Sequence, residues 1–122
     1  EKTNNFSIVS KVVYGEHEIL LTGDIEMEAE EALVSSNADI DADILKVAHH
    51  GSKTSSTDLF LAAVTPETCV ISVGRKNNYH HPHPTVLARL QKHCKKILRT
   101  DTSGRIELIF DEKNLIGIET QA

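Results

Sequence analysis

LKVAHHGSKTSS, residues 45–56, joins an apolar run to two adjacent histidines, a glycine and a cluster of hydroxyls. Residues 43–48 (DILKVA) are nearly continuous in apolar character apart from Lys46, which is the pattern of a strand covered on both faces. A solvated surface has no need of His49 and His50 at the mouth of such a strand. The stretch predicts a layered sheet with polar chemistry at a strand end.

Working outward, residues 7–14 and 18–22 read as two strands of a hairpin around Tyr14-Gly15-Glu16-His17. An acidic helix follows Gly23-Asp24, with Ala32 and Leu33 expected toward the core and its first-turn acids suited to the helix's positive end. Downstream, a helix is expected from about Thr57 to Val64, capped by Ser55-Ser56-Thr57-Asp58. Residues 68–73 form a fourth strand. Pro84 sits where a first-turn proline belongs, and Val86, Leu87, Leu90 and Cys94 make a helical stripe. Residues 96–100 form a fifth strand, Asp101 to Gly104 a turn, and residues 106–110 and 115–118 two more strands. The fold class is α/β (α+β) in one domain: a mixed β-sheet with helices packed on it and hairpins at both ends.

Three polar clusters fall at strand ends: Thr22-Gly23-Asp24, His49-His50-Gly51-Ser52, and the run Asn77 to Pro84. Ligand sites gather at such ends in layered α/β sheets. Five of the seven histidines lie in the last two clusters. Convergence would join one carboxylate to two or more imidazoles, a donor set suited to Zn, Mn or Fe. Each cluster also has a plainer reading. Asp24 serves equally as a cap for the acidic helix. His49-His50 can be a strand terminus with one ring packed and one wet. Ser52, Thr54, Ser55 and Ser56 suit backbone capping. His17, His80 and His93 read as surface groups. The prolines around His83 fix φ and so preset where His81 and His83 point.

The 122 residues carry a net charge of −5, which excludes gripping nucleic acid by bulk charge alone. The charge is uneven: ten acids and no Lys or Arg from Val12 to Leu45, five basic residues and no acid from Arg89 to Arg99. The basic run reads as a solvated helix face or as a polyanion contact. Cys69 and Cys94 read as small core residues, with a disulfide between them left open. No apolar run approaches the ~20 residues of a membrane span, and no leader pattern is present. The start at Glu1 without Met is what a mature or excised piece would show.

LLTGD (20–24), LKVAHHGSKTSS (45–56) and ISVG-x-x-N-x-Y-x-HPHP (71–84) together resemble the C-terminal half of the metallo-β-lactamase-like domain of ComEC-type DNA-internalisation competence proteins. Asn4 to Val9 is similar to the strand that precedes TGD in that family. The resemblance implies half of a four-layer αββα sandwich. It implies Asp24 as the carboxylate bridging two metals and His50 as a late histidine ligand. His49 takes that place if the register is off by one, and otherwise stands beside it as a catalytic imidazole. His81 and His83 fall at the pocket rim, for phosphate contact or protonation of a leaving oxygen. Ser52, Asn78, Tyr79, Arg89 and Lys92 fall on the substrate side.

The implied cofactors are two divalent ions, Zn or Mn. The implied partners are single-stranded DNA and the N-terminal half of the same domain. The implied parent lies in the cell membrane, with this domain outside the cytoplasm. The resemblance has two departures. His80 stands where the family has Gly before HPHP, and the superfamily's H-x-[DH]-x-D-H motif is absent from this sequence. Asp24 and one or two histidines are too few for a dinuclear centre with an open position. The expectation is a piece inactive by itself, holding metal partially or not at all, and self-associating through the sheet face meant for its other half. Two readings compete with a DNA-cleaving parent: a hydrolase of lactones or choline phosphodiesters, and a non-catalytic docking module.

Overall fold

The computed structural model describes residues 2–121. Strands β1 (Ser10–Tyr14) and β2 (His17–Leu21) form an antiparallel hairpin. Helix α1 (Met27–Ser35) follows, then β3 (Ile44–Lys46), α2 (Asp58–Val64), β4 (Thr68–Ile71), α3 (Pro84–His93) and β5 (Lys96–Arg99). Sheet order is β1-β2-β3-β4-β5, parallel from β2 onward. A short helix α4 (Thr100–Ser103) leads to β6 (Arg105–Phe110) and β7 (Leu115–Gln121), which pair only with each other.

Register explains the core. Leu20, Leu45, Cys69 and Ile97 stand side by side across β2 to β5. This row meets Phe60, Leu61 and Val64 of α2 and Val86 and Leu90 of α3 in one apolar cluster. Cys69 and Cys94 are both buried there and are joined in a disulfide, which settles the alternative the sequence left open. Side chains alternate along a strand, so Val12, Tyr14, Ile19 and Leu21 belong to the opposite face. That face carries none of the helices in the cluster, and Val12, Tyr14 and Leu21 are exposed.

Several expectations are corrected. Lys2–Phe6 forms a 3-10 turn and β1 starts only at Ser10, so Asn4 to Val9 is not a strand. Asn5 Oδ1 instead accepts from the N–H groups of Glu26 and Ala29, and Ser7 Oγ accepts from the Asp24 N–H. The segment thus closes the start of α1. Helix α1 turns Glu30 inward, fully buried, while Ala32 is exposed. Glu30 accepts from the N–H groups of Ser56 (2.6 Å) and Thr57 (2.9 Å) and from the Thr57 hydroxyl (2.9 Å), which makes its burial affordable. His17 is buried, donates from Nε2 to the Asp111 carbonyl at 2.9 Å and packs with its ring centroid 4.7 Å from that of Phe110. His93 is half-buried against Asp58 at 3.0 Å.

Candidate metal centre

Because β2, β3 and β4 are adjacent and parallel, their following loops emerge at one edge of the sheet. Main-chain bonds then lock the loops together. His49 N–H donates to the Gly23 carbonyl at 3.0 Å, and His83 N–H donates to the Gly51 carbonyl at 2.9 Å. Thr22, fully buried, donates its hydroxyl to the Lys46 carbonyl at 2.6 Å.

The strand β3 ends abruptly because His49 (φ 52°, ψ 40°) and His50 (φ 56°, ψ 25°) both adopt left-handed backbone geometry. Consecutive non-glycine residues in that region are uncommon and cluster at functional sites. Gly51 (φ +82°) completes the turn, and a Cβ there would lie 2.6 Å from Cβ of Pro82. The HPHP segment is therefore seated directly on the HHG turn.

Two of the sequence candidates face each other. His50 Nε2 lies 3.8 Å from Asp24 Oδ1, and His50 Nδ1 lies 2.7 Å from the Ser72 carbonyl oxygen. A carbonyl only accepts, so Nδ1 carries the proton and Nε2 presents a lone pair toward Asp24. That is the arrangement of a ligating histidine with its outer partner. A separation of about 3–4 Å is what two donor atoms bound at ~2.0–2.2 Å to one zinc require. Asp24 is not the N-cap of α1: Glu26 holds that position, the N–H groups of Glu26 and Ala29 go to Asn5 Oδ1, and that of Met27 goes to the Thr54 carbonyl. The donor set fits a divalent ion but supplies two ligands of the three or four needed.

His49 stands beside this pair. Its ring centroid is 6.4 Å from that of His50 and 5.8 Å from that of His81. Its Nδ1 is buried and lies 3.3 Å from Glu26 Oε2, without hydrogen-bond alignment. Glu26 also accepts from the Thr54 hydroxyl at 2.8 Å, and Thr54 Oγ1 lies 2.9 Å from Ser52 Oγ. Burial pushes the His81 imidazole pKa down, and the neighbouring charges of His49, His50 and His83 push the same way. His83 Nδ1 accepts from the Thr85 N–H at 3.2 Å, capping α3, which leaves Nε2 as the protonated nitrogen. Lys46 is half-buried; burial lowers its pKa and the Asp24 carboxylate opposes this.

The remaining candidates divide. Asn78 and Tyr79 are exposed on the loop, and the Tyr79 ring lies 5.7 Å from that of His81. Ser52 is buried and spent on the Thr54 turn, so it is corrected from a substrate contact to a structural hydroxyl. Arg89 is likewise corrected: its guanidinium donates to the carbonyls of Ser56 (2.8 Å) and Ser55 (3.1 Å). Lys92 is exposed but paired with Asp58 at 3.4 Å. Ser72 and Glu26 carry no signal in the sequence, and Asn77 shows there only as a member of the Asn77 to Pro84 cluster. Ser72 acts through a main-chain atom, which no side-chain pattern reveals. Among the described residues, Glu18, Asp39 and Asp41 also converge, but the Lys11 ammonium binds all three at 2.6, 2.9 and 3.4 Å and takes the place of a cation.

The family model of the metallo-beta-lactamase superfamily matches residues 3–75, more than half of the sequence and both the TGD and HHG segments. The chain belongs to the metallo-beta-lactamase superfamily. Its mixed sheet with helices on one face is a metallo-β-lactamase-like fold. It is 44% identical over 114 residues to ComE operon protein 3 of Bacillus subtilis, covering 93% of this chain and 14% of that protein. It is 43% identical over 105 residues to Competence protein ComA of Neisseria gonorrhoeae, covering 85% of this chain and 15% of that protein. It is 37% identical over 112 residues to Recombination protein 2 of Haemophilus influenzae, covering 92% and 14% respectively. The chain thus spans about a seventh of the length of the curated relatives it matches.

Proposed function

We propose that this chain supplies one half of a metal-dependent phosphodiester hydrolase centre that acts on single-stranded DNA in a competence-type protein. The observation that carries the reading is His50 held by the Ser72 carbonyl with its free nitrogen 3.8 Å from Asp24. Asp24 and His50 would hold divalent ions, zinc or manganese, together with ligands from an N-terminal half bearing H-x-[DH]-x-D-H. Such ions, when bound, supply charge neutralisation at the phosphate and activation of the attacking water. His83 Nε2–H is a donor suited to a phosphate oxygen, and His49 and His81 are placed to pass a proton to the leaving oxygen. With two ligands in hand, this chain alone is expected to be inactive.

The names of the relatives, competence and recombination proteins, support DNA handling. The buried disulfide supports a position outside the cytoplasm, since disulfides persist in oxidising compartments. Among the described residues no helix is long and apolar enough to cross a membrane, so the anchoring of a membrane parent would lie elsewhere. The sheet face bearing Val12, Tyr14 and Leu21 suits docking of the N-terminal half; in its absence the chain is expected to self-associate, and a clean monomer by sedimentation at high concentration would count against this.

The test joins this chain to an N-terminal half carrying the missing motif and supplies Mn²⁺ with end-labelled single strand. Cleavage that is lost in Asp24→Ala supports the reading. Hydrolysis of small phosphodiesters with DNA left intact would replace it with the small-ester reading, and no metal uptake by the joined protein would replace it with the docking module.

A further inference from the structure

Tyr79 is 77% exposed, on the loop that carries His81 to the candidate centre. Exposed loop tyrosines are common, but this loop is held. Asn77 Oδ1 accepts from the N–H groups of Tyr79 (3.1 Å) and His81 (2.9 Å), and its Nδ2 donates to the carbonyls of Gly74 (3.1 Å) and His81 (2.8 Å). One side chain thus ties both ends of the turn. The Tyr79 ring leans on His81 at 5.7 Å with planes 31° apart, so one face is supported while most of the ring is open to solvent.

Distance decides what such a ring can meet. Centroids run from Tyr79 to His81 at 5.7 Å and from His81 to His49 at 5.8 Å. Tyr79 is therefore no further from His49 than the sum of two ring spacings. Single strands are held with the backbone along a polar track and successive bases stacked on aromatic rings beside it. A phosphate at His49 and His81 would bring the base of the same or the next nucleotide over Tyr79. Arg75 and Lys76, both exposed, add positive charge to the same loop of an acidic chain. Pre-ordered aromatic rings beside a cationic track are how proteins hold single strands without reading sequence.

Resting on the DNA reading above, we propose that Tyr79 is a stacking platform for one unpaired nucleobase next to the scissile phosphate, and that it selects single-stranded over duplex DNA. A base within a duplex has both faces covered by its neighbours and cannot stack on Tyr79.

The experiment uses this chain in EDTA, so that binding is read without metal or cleavage. Fluorescence anisotropy compares a dT 12-mer, the same strand with abasic residues throughout, and a duplex. The wild-type chain is expected to bind the dT strand most tightly. Tyr79→Ala should lower that affinity about 5- to 100-fold while leaving the abasic strand unchanged, and Tyr79→Phe should keep it. Equal binding of dT strand by Tyr79→Ala and wild type, or equal wild-type binding of dT and abasic strands, overturns the platform and leaves the DNA reading standing. No binding of any oligonucleotide by the wild type overturns the platform, while the DNA reading stands or falls on cleavage by the joined protein.

Discussion

The carbonyl oxygen of Ser72 sits 2.7 Å from Nδ1 of His50. The residue that follows β4 thereby sets the tautomer of the neutral histidine delivered by β3, and the other ring nitrogen faces a carboxylate delivered by β2. Outer partners of this kind matter to metal affinity by about 10–100-fold. Long-range ¹H–¹⁵N spectra of the metal-free chain are expected to show His50 protonated at Nδ1. In a Zn²⁺ titration, Asp24→Asn and His50→Ala should each weaken uptake about tenfold or more. A His50 found protonated at Nε2 would remove it from the ligand set.

Gly51 is the contact point between the HHG turn and the HPHP loop. Alanine there adds a Cβ 2.6 Å from Pro82 at a φ of +82°, a clash combined with backbone strain. Gly51→Ala is expected to cost about 2 kcal/mol or more. Urea denaturation measures the cost. Chemical-shift changes at His81 and His83, absent from a control at exposed Ala62, would report the displaced loop.

The Cys69–Cys94 disulfide has a sequence separation of 25, and the loop it closes contains the whole of the Asn77 to Pro84 segment. Closing a loop of that size contributes about 3 kcal/mol through the unfolded chain. Reductant, or Cys69→Ala with Cys94→Ala, should lower the urea midpoint accordingly. Hydrogen exchange should quicken first in residues 74–83, and unchanged exchange there would separate the disulfide from the site.

Asp101 is held below the usual carboxylate range first by the Arg99 guanidinium, which binds it at 3.0 and 2.8 Å, while its partial burial works the other way. With the folded pKa depressed, the pair's contribution is complete above the unfolded value of about 3.9 and disappears as pH falls through the lower folded value. Partly exposed as it is, the pair is worth about 1 kcal/mol. Asp101→Asn should therefore be less stable than wild type at pH 6, with the two curves converging as the pH falls below the depressed folded value. A constant difference across that range would show that the loss is not electrostatic.

Much of this was legible in the sequence because apolar runs separated by capped helices report strands and their order. The three polar clusters could be placed at strand ends from periodicity alone, and the edge of the parallel strands brings them together. Other features depend on partners remote in the chain. Glu30 reads as one more acid on a solvated helix, and its burial makes sense only once Ser56 and Thr57 are seen to receive it. His17 reads as a turn residue until Phe110 and Asp111 arrive from the far hairpin. In the left-handed turn at His49, His50 and Gly51, only the last residue is a glycine, so the sequence does not announce the geometry of the two histidines. Arg89 looked like a free cation because its acceptors are carbonyl oxygens.

The three loops are joined to one another at Gly23 O, His49 N, Gly51 O and His83 N, all of them main-chain atoms. Replacing the imidazoles or the carboxylate would leave those bonds in place. Such a frame can exchange its chemical equipment residue by residue without coming apart, so a descendant could change metal preference, or abandon metal altogether, while keeping its shape.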